Sequence, residues 1–211
     1  MAGMNPSPLR VYGGVEGDHR KAERREQIMA AGLELLGTPG AEGALTVRGV
    51  CKQAGLAARY FYESFSDRDA LAEAVYDQVI RDLADSALEA VAAAPVDARA
   101  KTHAGLSTIV RTIADDPRRG RLLFDTTTST TLAQRRKNST ALFAGLLGGQ
   151  AKDFYGLADS PDLELSTQFV VGGLAQTLTT WLDGTLAMSR EELVEHCTEI
   201  FLALGARSQQ P

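Results

Sequence analysis

The chain has 211 residues, 44% of them hydrophobic and 23% charged, and a net charge of −5. That is enough apolar material for a buried core, while no stretch approaches the ~18 uninterrupted apolar residues of a membrane span. Cys51 and Cys197 are isolated and far apart, which fits a reducing cytoplasm and offers neither a metal nor a redox spacing.

Residues 1–19 hold Pro6, Pro8, Gly13, Gly14 and Gly17 without a sustained apolar run and read as a mobile arm, not a secretory leader. A first helix is expected over 21–36. Within 46–53, Val47, Val50, Cys51 and Ala54 recur at i, i+3, i+4 and i+7, the stripe of a helix with one buried face. Thr46 can cap its first turn and Gly55 can end it in the left-handed conformation. A very short helix follows over 57–63, with Arg59, Tyr60, Tyr62 and Ser64 as its polar and aromatic positions and Phe61 and Phe65 turned to the core. Two helices crossing over a glycine turn form a helix-turn-helix, whose second helix can enter a DNA major groove. In that setting Arg can contact guanine and Tyr hydroxyls can reach phosphate or a base edge, while Thr46, Arg48 and Arg68 sit near helix N-termini, where phosphate is held. Lys52 is read equally well as a phosphate contact or a solvated side chain. Between Arg20 and Tyr60 seven basic residues face four acidic ones, a net of +3, so the rest of the chain carries −8. A basic head on an acidic body suits a protein that meets phosphate at one end.

Helical patterns continue over 67–93, 97–114, 118–124, 131–155, 162–187 and 190–205, separated by Ala93-Ala94-Pro95, Asp115-Asp116-Pro117, Asp125 to Thr130, Gly156 to Pro161, and Ser189. Ser66 with Asp69 has the form of a capping box, and Ser189-Arg190-Glu191-Glu192 has its full form. Arg118-Arg119-Gly120-Arg121 is either a phosphate patch or a helix start neutralised by Asp115 and Asp116. The hydroxyl run around Thr126 is either a polar linker, with Ser129 or Thr130 as a cap, or the rim of a cavity. Leu193, Cys197, Ile200 and Leu204 form a stripe on the last helix. Leu174, Leu178, Trp181 and Leu182 form one on the helix before it. These faces are broader than packing within one chain needs.

The segment resembles the DNA-binding region of the tetracycline-repressor (TetR) family. The resemblance lies in Thr46-Val47-Arg48, Ala54-Gly55-Leu56, Phe61-Tyr62, Phe65 and Asp69-Ala70-Leu71. Upstream, Ile28, Ala30, Ala31, Leu33 and Leu36 match the family's first helix. It covers roughly residues 21–76. Ala57 stands in place of a capping Ser or Thr, Arg59-Tyr60 in place of Gly-Thr, Ser64 in place of His or Tyr, and Arg68 in place of Lys. The resemblance implies an all-α fold of about nine helices, with a helix-turn-helix head over 20–66 and a ligand-binding and dimerisation domain over 67–211. The short helix, including Ala57 and Ala58, would lie in the groove. It implies a homodimer on operator DNA, paired through the last two helices at Leu174, Leu178, Leu182, Leu193, Cys197, Ile200 and Leu204. It places Leu122, Phe124, Thr126, Phe143, Phe169, Thr177 and Trp181 as walls of a pocket for a small effector. That effector should be largely apolar, with Arg118, Arg119 and Arg135-Arg136-Lys137 turned to water and Gln176 and Thr177 inward.

The function expected is transcriptional regulation in the cytoplasm, usually repression. No cofactor, metal site or membrane partner is expected: His19, His103 and His196 are scattered. A DNA-binding protein without a ligand is one alternative. An enzyme on a helical bundle is the other, and it lacks a paired nucleophile and base, a metal spacing and a phosphate loop.

Overall fold

The computed structural model describes residues 12–39, 44–124 and 132–207, and among these it contains nine helices and no strand. The head is built from α1 (Tyr12–Gly37), α2 (Val47–Ala54) and α3 (Ala58–Tyr62), and the body from α4 (Arg68–Ala93), α5 (Ala98–Asp115), α6 (Pro117–Phe124), α7 (Ala133–Tyr155), α8 (Pro161–Leu182) and α9 (Arg190–Arg207). One buried cluster runs from Ile28 in the head, through Leu71, Val75 and Val79 of α4, to Leu193 and Cys197 in α9. No helix among the described residues is long and apolar enough to cross a membrane.

Local chemistry sets most helix ends. The Thr46 hydroxyl accepts from Gly49 N at 3.0 Å, and Gly55 stops α2 at φ 67° while Leu56 N donates to Cys51 O at 3.0 Å. A side chain is strained in that conformation, so glycine allows the sharp turn into α3. The cap of α4 is Asp67, one residue later than the Ser66 box anticipated. Its carboxylate accepts from Ala70 N at 2.8 Å, and Ser66 donates to it at 3.1 Å. These hydrogen bonds, the Ala70 amide first, hold the Asp67 carboxyl below the usual range, because an anion complements a helix N-terminus better than a hydroxyl does. The box at α9 forms in full: Glu192 N donates to Ser189 Oγ at 3.2 Å and Ser189 N to the Glu192 carboxylate at 2.9 Å.

Two boundaries differ from expectation by more than two residues. α1 begins at Tyr12, so residues 12–19 of the expected arm are helix. Extending a formed helix adds a hydrogen bond per residue, which offsets glycines at about 1 kcal/mol each, and His19 pairs with Glu23 one turn on at 3.1 Å. Residues 1–11 lie outside the described residues. α8 ends at Leu182 instead of 187, because the Asp183 carboxylate accepts from Thr185 N at 2.8 Å and turns the chain.

α4 and α6 join head and body. α4 is 26 residues long, about 39 Å at 1.5 Å per residue. Its first turns pack Leu71 and Val75 against Gly32 of α1, and its later turns lie in the body. α6 rests on the end of α1, where a Cβ on Gly37 would fall 2.5 Å from Arg118 Cα, so only glycine permits this approach.

Candidate DNA-binding face and ligand cavity

α3 is too short to be stable as an isolated helix, and its N-cap Ala57 makes no side-chain capping bond, a loss of about 1 kcal/mol against Ser or Thr. Tertiary contacts hold it instead. Phe61 is fully buried, edge-on to Tyr62 at 5.5 Å and near Phe65 at 5.7 Å between ring centres. Arg25 of α1 donates to Ser64 O at 3.0 Å and lies 4.3 Å over the Phe65 ring. Arg24 lies 4.5 Å over the Tyr60 ring and reaches Glu63 at 3.4 Å. Cation–π contacts of this kind contribute roughly 0.5–1 kcal/mol each. Arg24 and Arg25 were absent from the sequence candidates, and no local pattern relates them to residues some 40 positions away.

With α3 anchored, Ala57, Ala58, Arg59 and Tyr62 are exposed. Arg59 lies over the Tyr60 ring at 4.6 Å and donates to its hydroxyl at 2.7 Å. Thr46, Arg48 and Lys52 are also exposed. Arg68 is exposed beside Asp69 at 3.6 Å, a separation worth little in water. Tyr60 and Ser64 are only half-buried, and the Ser64 backbone carbonyl accepts from Arg25 of α1. Phe61 and Phe65 are core, as the pattern predicts. Burial raises the thiol pKa of both Cys51 and Cys197, so both stay protonated and unreactive.

The body holds a cavity of about 470 Å³ lined by α4, α5, α6, α7, α8 and the end of α9. Its walls are mainly aliphatic, with Ile80, Leu83, Ala84, Ala87 and Leu88 from α4 facing Phe143, Leu147 and Val171. Polar groups from α4, α5, α7 and α8 are interspersed among them. The Tyr76 hydroxyl lies 2.8 Å from Ser139 Oγ, beside Arg136, and burial raises the Tyr76 pKa against the lowering effect of Ser139 and the Arg136 charge. Lys101, which donates to Val91 O at 2.8 Å, and Gln150 also line the cavity.

Of the expected pocket residues, Phe124 and Phe143 line this cavity and Leu122, Phe169, Thr177 and Trp181 do not; Thr126 lies outside the described residues. Leu122 is buried in the core under α6. Trp181 donates to Met188 O at 3.0 Å across the α8–α9 turn, and the Thr177 hydroxyl is turned back to Gly173 O on its own helix. Phe169 is 69% exposed and points away from the cavity. Gln176 does reach the lining. Arg136 does not point to water: it lines the cavity and donates to Leu122 O and Leu123 O at 3.2 Å each. The stripe Arg136, Ser139, Thr140, Phe143 at i, i+3, i+4 and i+7 carried this signal. Arg135 is bound to Glu73 at 2.8 Å and to Asp77, while Lys137 is exposed. Arg118 pairs with Asp116 and Glu34, and Arg119 with Asp116, which favours the helix-start reading over a phosphate patch.

The expected pairing face also needs correction. Leu178, Leu193 and Cys197 are 2%, 1% and 8% exposed in the single chain and belong to its core, while Leu174 and Leu204 line the cavity. Leu182 and Ile200 remain exposed, and Leu165 and Phe169 join them on α8. A helix has two sides, and the stripe pattern does not say which of two apolar stripes faces inward. Among the described residues no group of His, Cys, Asp and Glu could hold a metal ion.

No protein-family model and no curated protein matches the chain. Many solved structures share its fold. It is similar to the fatty acid degradation regulator FadR from Bacillus halodurans, with a TM-score of 0.70 at 17% identity over 85% of this chain and 94% of that one. A TetR-family transcriptional regulator from Syntrophomonas wolfei gives 0.72 at 14% identity, covering 88% and 96%. FadR from Bacillus subtilis, solved in complex with stearoyl-CoA, gives 0.68 at 19% identity, covering 83% and 96%. The fold is therefore that of the TetR-family transcriptional regulators.

Proposed function

We propose that the chain is a sequence-specific DNA-binding transcriptional regulator that acts as a homodimer, most simply a repressor released from its operator by a small, largely apolar ligand. The observation that carries this reading is the exposed Arg59–Tyr62 surface of α3, braced on α1 by Arg24 and Arg25. Selection of bound duplexes from a random library tests it. The expected product is an inverted repeat with half-sites about 34 Å apart, or somewhat more, one reading helix per protomer. Recovery of unrelated sequences would reject specific recognition.

Within the face, Arg59 is assigned to a base edge and Tyr62 and Arg68 to phosphate. Arg59→Ala should cost about 1–3 kcal/mol on the selected duplex and less on random DNA, whereas Tyr62→Phe and Arg68→Ala should weaken both by similar factors. Titration of each variant against both duplexes decides the matter, and equal losses for Arg59→Ala would move it to the phosphate class.

Release follows from linkage: a ligand that prefers the DNA-incompetent spacing of the heads weakens DNA affinity by that preference. The aliphatic cavity supports this, as does the stearoyl-CoA held by the Bacillus subtilis neighbour. α6 offers a path. Its Leu123 and Phe124 line the cavity, and Arg118 on its first turn reaches Glu34 of α1 at 2.7 Å. Bonds to Asp116 first and to Glu34 push the Arg118 pKa up, so its guanidinium stays charged. Arg118→Ala should cut the ligand-induced loss of DNA affinity by about threefold or more, given couplings of roughly 5–150-fold, with ligand affinity changed far less. Unaltered release would remove α6 from the path.

A further inference from the structure

Arg59 and Tyr60 are more tightly ordered than a simple charge on the DNA face needs to be. The guanidinium carbons of Arg24, from α1, and of Arg59 lie 4.5 and 4.6 Å from the centre of the same Tyr60 ring. Arg59 also donates from Nη2 to the Tyr60 hydroxyl at 2.7 Å. Glu63 lies 3.4 Å from Arg24, while Arg59 pairs with no carboxylate among the described residues. The Arg24 Nε is buried without an acceptor among those residues, so the ring and the carboxylate hold Arg24 in place. The outcome is a ring braced from α1, with an exposed and uncompensated guanidinium held against it. An arginine loses rotamer freedom when both prongs of its fork meet a base. Here the ring and its hydroxyl impose that order before any duplex arrives. The bond to Tyr60 uses a single guanidinium N–H and leaves a complete fork for a base. Guanine presents the matching acceptors, O6 and N7, on its major-groove edge.

We infer that Tyr60, braced by Arg24, is a positioning residue that presents the Arg59 fork to a guanine in each half-site. The inference rests on the DNA-binding reading above, and it adds the base that is read and the residues that aim the reader. A phosphate needs only a nearby charge, which an unstacked side chain supplies as well. A base edge needs a fork in a fixed plane, and the Tyr60 ring with its hydroxyl sets that plane.

Titration of the full chain with the duplex selected from a random library, its guanines replaced one at a time by 7-deazaguanine, tests this. The analogue keeps O6 and base pairing and removes only the N7 acceptor. At one guanine of each half-site the replacement should weaken wild-type binding about fivefold or more, the lower end of what a bidentate pair discriminates. Arg59→Ala should abolish that penalty. Tyr60→Leu, which leaves Arg59 in place, should cut it to about twofold, with affinity for random duplex changed less than about threefold. Tyr60→Phe keeps the ring and should retain more of the penalty than Tyr60→Leu, and Arg24→Gln should lower it in the same direction. Affinity for random duplex reports whether the head is folded; the ratio between guanine and its analogue reports positioning, which loss of fold alone does not change. A selected duplex in which no guanine shows the penalty would overturn the inference and leave specific recognition standing. So would a penalty of wild-type size in Tyr60→Leu, including a variant that weakens every duplex alike, since Tyr60 would then be a phosphate or packing residue. Selection of no preferred duplex would instead reject the regulatory reading, and this inference with it.

Discussion

Phe169→Asp should convert a dimer to a monomer at micromolar concentration and abolish tight operator binding, with helical content retained. Phe169 and Leu165, 69% and 68% exposed, lie one turn apart on the outward side of α8, and Ile200, 56% exposed, provides an apolar position on α9. Gly173, one turn after Phe169 and exposed, has open space where a side chain would stand, so a second helix can approach closely. In one protomer these groups face water, and an aspartate there costs little. Buried against a partner without a counter-charge, it costs several kcal/mol at each of two symmetry-related positions. Operator affinity falls with it, because each head alone makes half the contacts. Ile200→Asp should act in the same direction. Leu193→Ala, in the core of a single chain, should instead lower the thermal midpoint without splitting the dimer. Sedimentation and light scattering separate these outcomes. A Phe169→Asp protein that remains dimeric would place the interface on another surface.

Phe61→Ala should remove DNA binding by a different route. Phe61 has no exposed surface and packs on Tyr62 and Phe65. Truncating a buried phenylalanine typically costs about 3–5 kcal/mol. α3 has only five residues and no side-chain N-cap, so local helix propensity cannot replace that packing. The expected result is a large loss of affinity for selected and random duplex alike, accompanied by faster amide exchange in α2 and α3, while the dimer persists because α8 and α9 are remote from the change. Retention of operator affinity within a few-fold would mean that the Arg24 and Arg25 contacts suffice to position α3. Arg24→Ala combined with Phe61→Ala would then be the decisive variant.

The helix-turn-helix was legible because its information is local. Thr46 as cap, the Val47–Ala54 stripe, Gly55 at positive φ and the burial of Phe61 and Phe65 each follow from residues within a few positions of one another. The reciprocal Ser189–Glu192 box was legible for the same reason. Competing local signals misled where two donors or two faces were available: Asp67 caps α4 in place of Ser66 because the carboxylate is the stronger acceptor, and α1 runs back to Tyr12 because helix extension outweighs three glycines.

Assignments that depend on which neighbour a helix meets lay beyond local pattern. α8 carries apolar residues nearly all round, so Leu178 and Phe169 are indistinguishable along the sequence, yet one is 2% and the other 69% exposed. Arg136 was expected in water, but the packing of α7 against α4 and α6 turns it to the cavity and the Leu122 and Leu123 carbonyls. The Arg24–Tyr60 and Arg118–Glu34 contacts join residues 36 and 84 positions apart. Periodicity specifies that a helix has an apolar side; the crossing of the six body helices decides which side, and with it the shape of the cavity between them.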